Sequence, residues 1–338
     1  MESFLRVYFD YFNTLPRNSL HDRRKRKGMV DYISTLIAGC SAADTDIEDT
    51  SRTAIKTILQ YHDEMKDENG GVCKMGKYHN ILYVAMKLCY DWQMKDTETV
   101  SAVLEQIFIC EKTFERILVG AIFGNKAPHF IAGWKSDFDS QEENLRAVVY
   151  FLDKANTAGL ELKFPNDNSN TTFRFIDLPL ESCGRSSPVK VSVQLGLPDK
   201  LLIFLRFGAK VFSNEEEITV IEYILDRLLE FKHTYPYNLV SCLQILLRVI
   251  PSIRIEKPKE LDDDDYKSLC SRFSERYSDL VEDGLIPAFR FGLAPPELKH
   301  LCRCSIRGRL WQNQQLPNGI RTLPVPEKLW RYLDILED

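Results

Sequence analysis

The chain has 338 residues, of which 44% are hydrophobic, and its formal net charge at pH 7 is −5. That length can bury a sizeable core, in one elongated domain or in two compact ones. The mild acidity does not suggest a nucleic-acid partner, and no apolar run is long enough to cross a bilayer. Neither nucleic acid nor a membrane is therefore predicted as a partner.

Nine cysteines are scattered along the chain without the spacing of a disulfide framework. Their odd number indicates reduced thiols, and hence a location in the cytoplasm or the nucleus. His300, Cys302 and Cys304 are close in sequence, but two-residue steps on a helix point roughly 200° apart, so no metal site is predicted there. Because phosphate-binding loops, nucleophile elbows and zinc-protease helices are also missing, we predict no catalytic residue, no metal, no cofactor and no enzymatic activity.

Residues 1–70 match no motif that we can name, and we expect them to form a helical cap on the array that follows. The basic run Arg23–Lys27 suggests either a nuclear-import or acidic-partner patch, or an ordinary solvated loop. The solvated loop is the interpretation we favour.

Helical periodicity dominates the chain, and alternation typical of strands is scarce. Short helices separated by polar turns predict a stacked array, here assigned to residues 71–250. Three degenerate helix pairs are predicted in this array. They are 80–85 with 98–108, 114–123 with 145–155, and 216–231 with 239–249.

The clearest repeat runs from Ser187 to Val211 and resembles an ankyrin repeat. Ser187 and Pro188 suit the start of a first helix, and Gly196 suits its end. Leu201, Leu202 and Leu205 are expected to form the packing ridge of the second helix, and Gly208-Ala209 the following turn.

Residues 251–290 are predicted to form a helical linker. Asp262–Asp265 is a block of like charge that cannot pack, and acids favour the positive end of a helix dipole. We therefore expect this block to open a helix over Tyr266–Val281.

The C-terminal segment, 291–338, contains two apolar stripes at helical spacing. We expect the first helix to start at Pro295-Pro296 and to carry one apolar face: Leu298, Leu301, Cys302, Ser305, Ile306 and Leu310. Asn318-Gly319 suggests a turn, and Pro324 and Pro326 favour an extended stretch before a last short helix. The second stripe consists of Leu329, Tyr332, Leu333 and Leu336.

These residues resemble the SOCS box. Leu298, Cys302 and Ile306 match its Elongin-binding element, and Leu323, Pro324 and Pro326 match its cullin element. The chain has Glu297 where the family prefers a small residue or proline. The resemblance implies that Leu298, Leu301, Cys302 and Ile306 bind Elongin C, which comes with Elongin B. It also implies a second set of residues that bind the fifth cullin with its RING partner: Leu323, Pro324, Pro326, Leu329, Tyr332 and Leu333.

The repeat and the tail together resemble the ankyrin repeat and SOCS box family. The expected fold is all-α, an irregular ankyrin-like helical solenoid followed by a SOCS box of short helices. The resemblance implies a non-catalytic adaptor of a ubiquitin ligase, whose repeats hold a protein substrate that the sequence does not identify. The alternative is an interaction scaffold whose C-terminal helices only cap the fold.

Overall fold

The computed structural model describes residues 2–14, 19–41, 46–73, 80–124, 128, 136–164, 172–212, 219–253, 262–291 and 293–338. Within these residues the chain is helical apart from one two-stranded antiparallel sheet, so the predicted all-α class is confirmed. No helix in the described ranges is both long and apolar enough to cross a bilayer. The chain divides into two compact units, Met1–Arg185 and Ser186–Asp338.

In its described residues the first unit contains seven α-helices and the small sheet. The helices are α1 (Glu2–Thr14), α2 (Ser19–Ser41), α3 (Ile47–Glu68), α4 (Asn80–Asp91), α5 (Thr97–Glu111), α6 (Glu115–Phe123) and α7 (Gln141–Thr157). Strands β1 (Glu161–Leu162) and β2 (Phe173–Arg174) pair Leu162 with Phe173. Acidic and hydroxyl side chains start the helices, since Asp46, Asp96 and Ser140 accept hydrogen bonds from backbone N–H groups in the first turns of α3, α5 and α7.

Helix α4 lies at the centre of this unit, where it contacts α2, α3 and α5. Its side chains from Asn80 to Met86 are all buried, as expected for a helix that is apolar all round. The predicted pairs at 80–108 and 114–155 correspond to α4 with α5 and α6 with α7.

The basic run Arg23–Lys27 lies on helix α2, so the predicted solvated loop is wrong. Arg26 is buried, forms a two-pronged ion pair with Asp137 at 2.7 Å, and donates to Asn80 Oδ1. Arg23 and Lys27 both contact Asp139. The local run of positive charge predicted exposure to solvent. Pairing with Asp137 and Asp139 explains why these cations can lie on a packed helix instead.

The second unit contains the clear repeat at 187–211 and the C-terminal segment at 293–338, which is called the box below. Its helices are α8 (Pro188–Gln194), α9 (Pro198–Arg206), α10 (Val220–Leu229), α11 (Tyr237–Leu247), α12 (Asp263–Arg276), α13 (Ser278–Glu282), α14 (Leu298–Gln312) and α15 (Trp330–Leu333). Single turns of 3₁₀ helix cover Asn318–Thr322 and Glu327–Leu329 in the box. In the repeats α8 pairs with α9 and α10 with α11, while α9 packs on α11 and α8 on α10.

The repeat at 187–211 has the predicted local structure. The Ser187 hydroxyl accepts from Lys190 N at 3.2 Å, and Gly196 ends the first helix with a φ of +62°. Leu201 and Leu205 are buried in the core, as predicted for the packing ridge, whereas Leu202 is only half-buried. Ser192 is also buried, and its hydroxyl donates to Pro188 O at 2.8 Å, so its polar atom is satisfied within its own helix.

Two helix starts differ from the prediction. Helix α14 begins at Leu298 rather than at Pro295, because Glu297 adopts the extended conformation of an N-cap residue. Helix α12 begins at Asp263, where the Asp262 carboxylate accepts from two backbone N–H groups, and Tyr277 separates it from α13.

The predicted domain boundaries at 70/71, 250/251 and 290/291 stay predictions. Residues 254–261 of the predicted linker lie outside the described ranges.

Gly208 marks the turn after α9, where the chain passes close to Trp311. Its φ is +86°, and a methyl group at this position would lie 2.9 Å from Trp311 Cδ1. Gly284 has a similar φ of +73° but has no atom within 4 Å of that position. An alanine at Gly284 would therefore cost backbone strain alone, whereas an alanine at Gly208 would also overlap Trp311.

We predict that Gly284→Ala lowers the free energy of unfolding by about 1–2 kcal/mol, the cost of a left-handed non-glycine residue. Gly208→Ala should lose a further roughly 1–3 kcal/mol, because Trp311 must be displaced. Urea unfolding followed by tryptophan fluorescence measures both. Equal losses in the two variants would mean that the contact with Trp311 is not tight.

Candidate functional site

Helix α14 has two faces of opposite character, and the polar one is buried. His300, Arg303 and Arg307 follow each other at helical spacing and are almost completely inaccessible. Leu298, Leu301 and Cys302 lie on the opposite face and are exposed, with Leu298 77% accessible. This arrangement inverts the usual amphipathic order, in which the apolar stripe faces the core.

Arg307 connects the ends of two other helices. Its Nη1 donates to Leu333 O at 2.9 Å, and its Nη2 donates to Leu205 O at 2.6 Å. These carbonyls belong to the last turns of α15 and α9, at the negative end of each helix dipole, and Leu205 O also accepts from Gly208 N at 3.1 Å. Burial lowers the pKa of Arg307 to about 10, so the guanidinium stays charged at neutral pH.

His300 and Arg303 form a second buried cluster, which contacts Ile250 after α11 and the ring of Tyr332. His300 Nε2 donates to Ile250 O at 2.7 Å, and its Nδ1 accepts from Arg303 Nη2 at 3.1 Å. These partners assign a neutral imidazole with the proton on Nε2. The Arg303 guanidinium lies 4.2 Å from the centre of the Tyr332 ring, and the Lys299 ammonium lies 4.0 Å from it, so the ring contacts two cations.

Two ion pairs attach the last residues of the chain to the repeat helices. Arg206, at the end of α9, contacts Asp334 at 2.6 Å. Arg248, just after α11, contacts Asp338 at 3.0 Å and donates to Ile335 O. Trp311 adds a hydrogen bond from Nε1 to Gly208 O at 2.8 Å. Arginines, His300 and Trp311 thus attach the box to its own repeats.

The box has a small apolar core of its own. Its buried members are Leu310, Leu316, Ile320, Tyr332 and Leu333, and its half-buried members are Ile306, Trp311, Leu323, Val325 and Trp330. Pro324 and Pro326 are exposed at its surface. The core holds the Leu323–Pro326 segment next to α14 without covering its prolines.

The predicted site residues divide into three groups by their accessibility. Leu298, Leu301, Cys302, Pro324 and Pro326 are exposed. Ile306, Leu323 and Leu329 are half-buried. Tyr332 and Leu333 were expected to contact a cullin but are buried in the box core, which leaves little of either side chain accessible.

Sequence reasoning missed the buried face of α14. The spacing of His300, Arg303 and Arg307 was visible, yet charged side chains at helical spacing are usually solvent-exposed. What distinguishes them is the supply of carbonyl acceptors in the last turns of α9 and α15 and in the turn after α11, which depends on the folded arrangement.

We predict that Arg307→Met lowers the free energy of unfolding by about 3 kcal/mol, because two charge-assisted hydrogen bonds to buried carbonyls are lost. Arg309 is exposed on the same helix and provides the control, since Arg309→Met should change stability by less than about 0.5 kcal/mol. Urea unfolding measures both variants. An unfolding free energy that does not change in Arg307→Met would contradict the bridging role.

Comparison with known proteins agrees with this geometry. The family model described as the SOCS box matches residues 294–334, which include all of α14 and α15. Ankyrin repeat and SOCS box protein 17 of the dog, Canis lupus familiaris, is 48% identical over 97 residues, which are 28% of this chain and 29% of that protein. The mouse protein of the same name, from Mus musculus, is 36% identical over 97 residues, with the same coverage.

The human protein of that name, from Homo sapiens, is 46% identical over 50 residues, which are 15% of this chain and 17% of the relative. The alignments thus span less than a third of the curated relatives. No solved structure matches the chain. The C-terminal segment thus matches the SOCS box, and the chain is similar over part of its length to proteins named ankyrin repeat and SOCS box protein 17.

Proposed function

We propose that this chain is the substrate-recognition adaptor of an Elongin B/C–cullin–RING ubiquitin ligase. The observation that carries the proposal is the exposed apolar face of α14 within a matched SOCS box. An apolar helix face that the chain's own fold leaves accessible is typical of a surface completed by another protein.

Elongin C, bound to Elongin B, is the proposed partner of that face. Leu298 is the anchor, because it is the most exposed leucine of α14 and stands at the start of the helix. Cys302 and Ser305 are small and exposed one turn apart, so side chains of a partner can approach the helix closely between them. Ile306 lies at the edge of this face, half-buried against the box core.

The fifth cullin, with its RING partner, is proposed to contact the Leu323–Pro326 segment. Pro324 and Pro326 are exposed, and the two prolines limit the conformations of the segment before binding. Tyr332 and Leu333 are proposed to support this segment from the core, since both are buried. Leu329 is half-buried and completes the edge of the surface.

The adaptor would act by proximity and not by chemistry of its own. Holding a substrate lysine close to a ubiquitin-charged enzyme raises its effective concentration. The ankyrin-like repeats are the proposed substrate-binding region. This function requires a location in the cytoplasm or nucleus.

The alternative is a scaffold in which the C-terminal helices only cap the repeats. The burial of His300, Arg303 and Arg307 against the repeat helices favours a capping role for one face of α14. That role uses the face opposite Leu298, so capping and Elongin binding are compatible. Capping alone leaves the exposed leucines without a function, which is why we prefer the adaptor.

We predict that Leu298→Ala combined with Cys302→Ala abolishes co-purification of Elongin B and C from a cell lysate. A buried leucine anchor is worth roughly 2 kcal/mol at an interface, or about thirtyfold in affinity. Both side chains are exposed, so the variant should unfold at the temperature of the wild type. Leu195→Ala, an exposed leucine of the repeat, is the matched control. If a folded double variant recovers as much Elongin as the control, the adaptor proposal fails.

A second set of substitutions tests the cullin contact separately. Changing Leu323, Pro324 and Pro326 to alanine should retain Elongin B and C and lose the cullin, because α14 lies outside the changed segment. Quantitative mass spectrometry of the purified complexes measures both partners. Loss of Elongin together with the cullin would show that the two surfaces do not act independently.

A further inference from the structure

Three potential metal ligands that are far apart in sequence lie together in the first unit. They are His62 on α3, Cys73 in the segment after α3, and Cys110 in the last turn of α5. Their ligand atoms all lie within 4.8 Å of one another, and His62 Nε2 is 3.5 Å from Cys110 Sγ. His62 is completely buried, while the two cysteines are half-buried and so remain accessible to small solutes.

The end of helix α3 produces this arrangement. Gly70 and Gly71 have φ values of +73° and +79°, and Gly71 N donates back to Lys66 O at 2.8 Å. Consecutive left-handed residues reverse the chain direction, and glycine adopts them without strain. The reversal returns Cys73 to the level of His62, and the packing of α3 on α5 brings Cys110 to the same point.

The distance of 3.5 Å between His62 Nε2 and Cys110 Sγ is that of two ligands on one zinc ion. Tetrahedral zinc has Zn–N and Zn–S bonds of about 2.0–2.1 and 2.3 Å, which separate a nitrogen and a sulfur ligand by about 3.5 Å. Two sulfurs and an imidazole form a soft donor set that favours Zn²⁺ over Mg²⁺ or Ca²⁺.

The remaining ring nitrogen of His62 is consistent with a ligand histidine. Nδ1 is buried without a hydrogen-bond partner among the described residues, and the Asp63 carboxylate lies 3.8 Å away. Metal-bound histidines commonly direct the other nitrogen to a carboxylate, which fixes the tautomer that presents Nε2 to the metal.

We propose that His62, Cys73 and Cys110 bind one Zn²⁺, with water in the fourth position. Binding releases the two thiol protons to solvent and leaves two thiolates whose charge balances the ion. The ion connects the segment after α3 to the end of α5, and so fixes the reversal at Gly70-Gly71. This inference does not depend on the proposed ligase function.

The test uses the full chain purified with a reductant and without chelators. Elemental analysis should find one zinc per chain, and exchange for Co²⁺ should give the absorption of a tetrahedral site with thiolate-to-cobalt charge transfer. Cys73→Ser and Cys110→Ser should each weaken zinc binding by more than the roughly 100-fold that loss of an outer-sphere partner costs. Cys183→Ser, a half-buried cysteine of the same unit outside the cluster, should keep the full zinc content.

Melting in the presence of a chelator separates loss of the site from loss of the fold. Cys73 lies outside the helices, so Cys73→Ser should have the same melting temperature as the chelator-treated wild type. Added zinc should no longer raise that temperature in the variant. A wild-type chain that holds no zinc and gives no thiolate charge transfer with Co²⁺ would overturn the proposal. So would a Cys73–Cys110 disulfide in protein alkylated at lysis, if the reduced chain then binds no metal.

Discussion

The buried guanidinium of Arg307 is the contact on which the C-terminal half of this protein depends. It occupies the space between the last turns of α9 and α15 and donates to a carbonyl of each. A cation is suited to that space, because both helix ends present carbonyl oxygens and the negative end of a dipole. His300 contacts Ile250 O in the turn after α11, so α14 is attached to the repeats by polar side chains that bind backbone carbonyls at or beyond helix ends.

This mode of attachment explains how α14 can pack on the repeats and still keep its apolar face exposed. If α14 packed on the repeats through leucines, its apolar surface would be used within the chain. Because its arginines and histidine make that contact, Leu298 and Leu301 remain exposed on the other side. The box core around Leu310, Ile320 and Leu333 packs against Leu323 and Val325 of the proline segment. One helix can thus serve both the chain's own stability and a partner.

Much of the fold could be predicted from local signals. Ser187 and Gly196 bound a helix through capping and a left-handed residue, and both behave as expected. The same signals do not indicate what a distant residue decides. Arg26 pairs with Asp137, and Tyr332 and Leu333 lie in a core whose other members come from α14 and the turn after it. Neither set of contacts can be recognised from the residues that are adjacent in sequence.

The sequence by itself determined the positions of most helices, the SOCS-box pattern from Leu298 to Pro326, and which residues of α14 share a face. These properties follow from periodicity, capping and turn chemistry, which act over a few residues. Only the tertiary structure decided that the polar face of α14 is the buried one, and that His62, Cys73 and Cys110 meet. Both depend on which backbone and side-chain groups other helices bring within reach, and such long-range contacts are not encoded in the spacing along the chain.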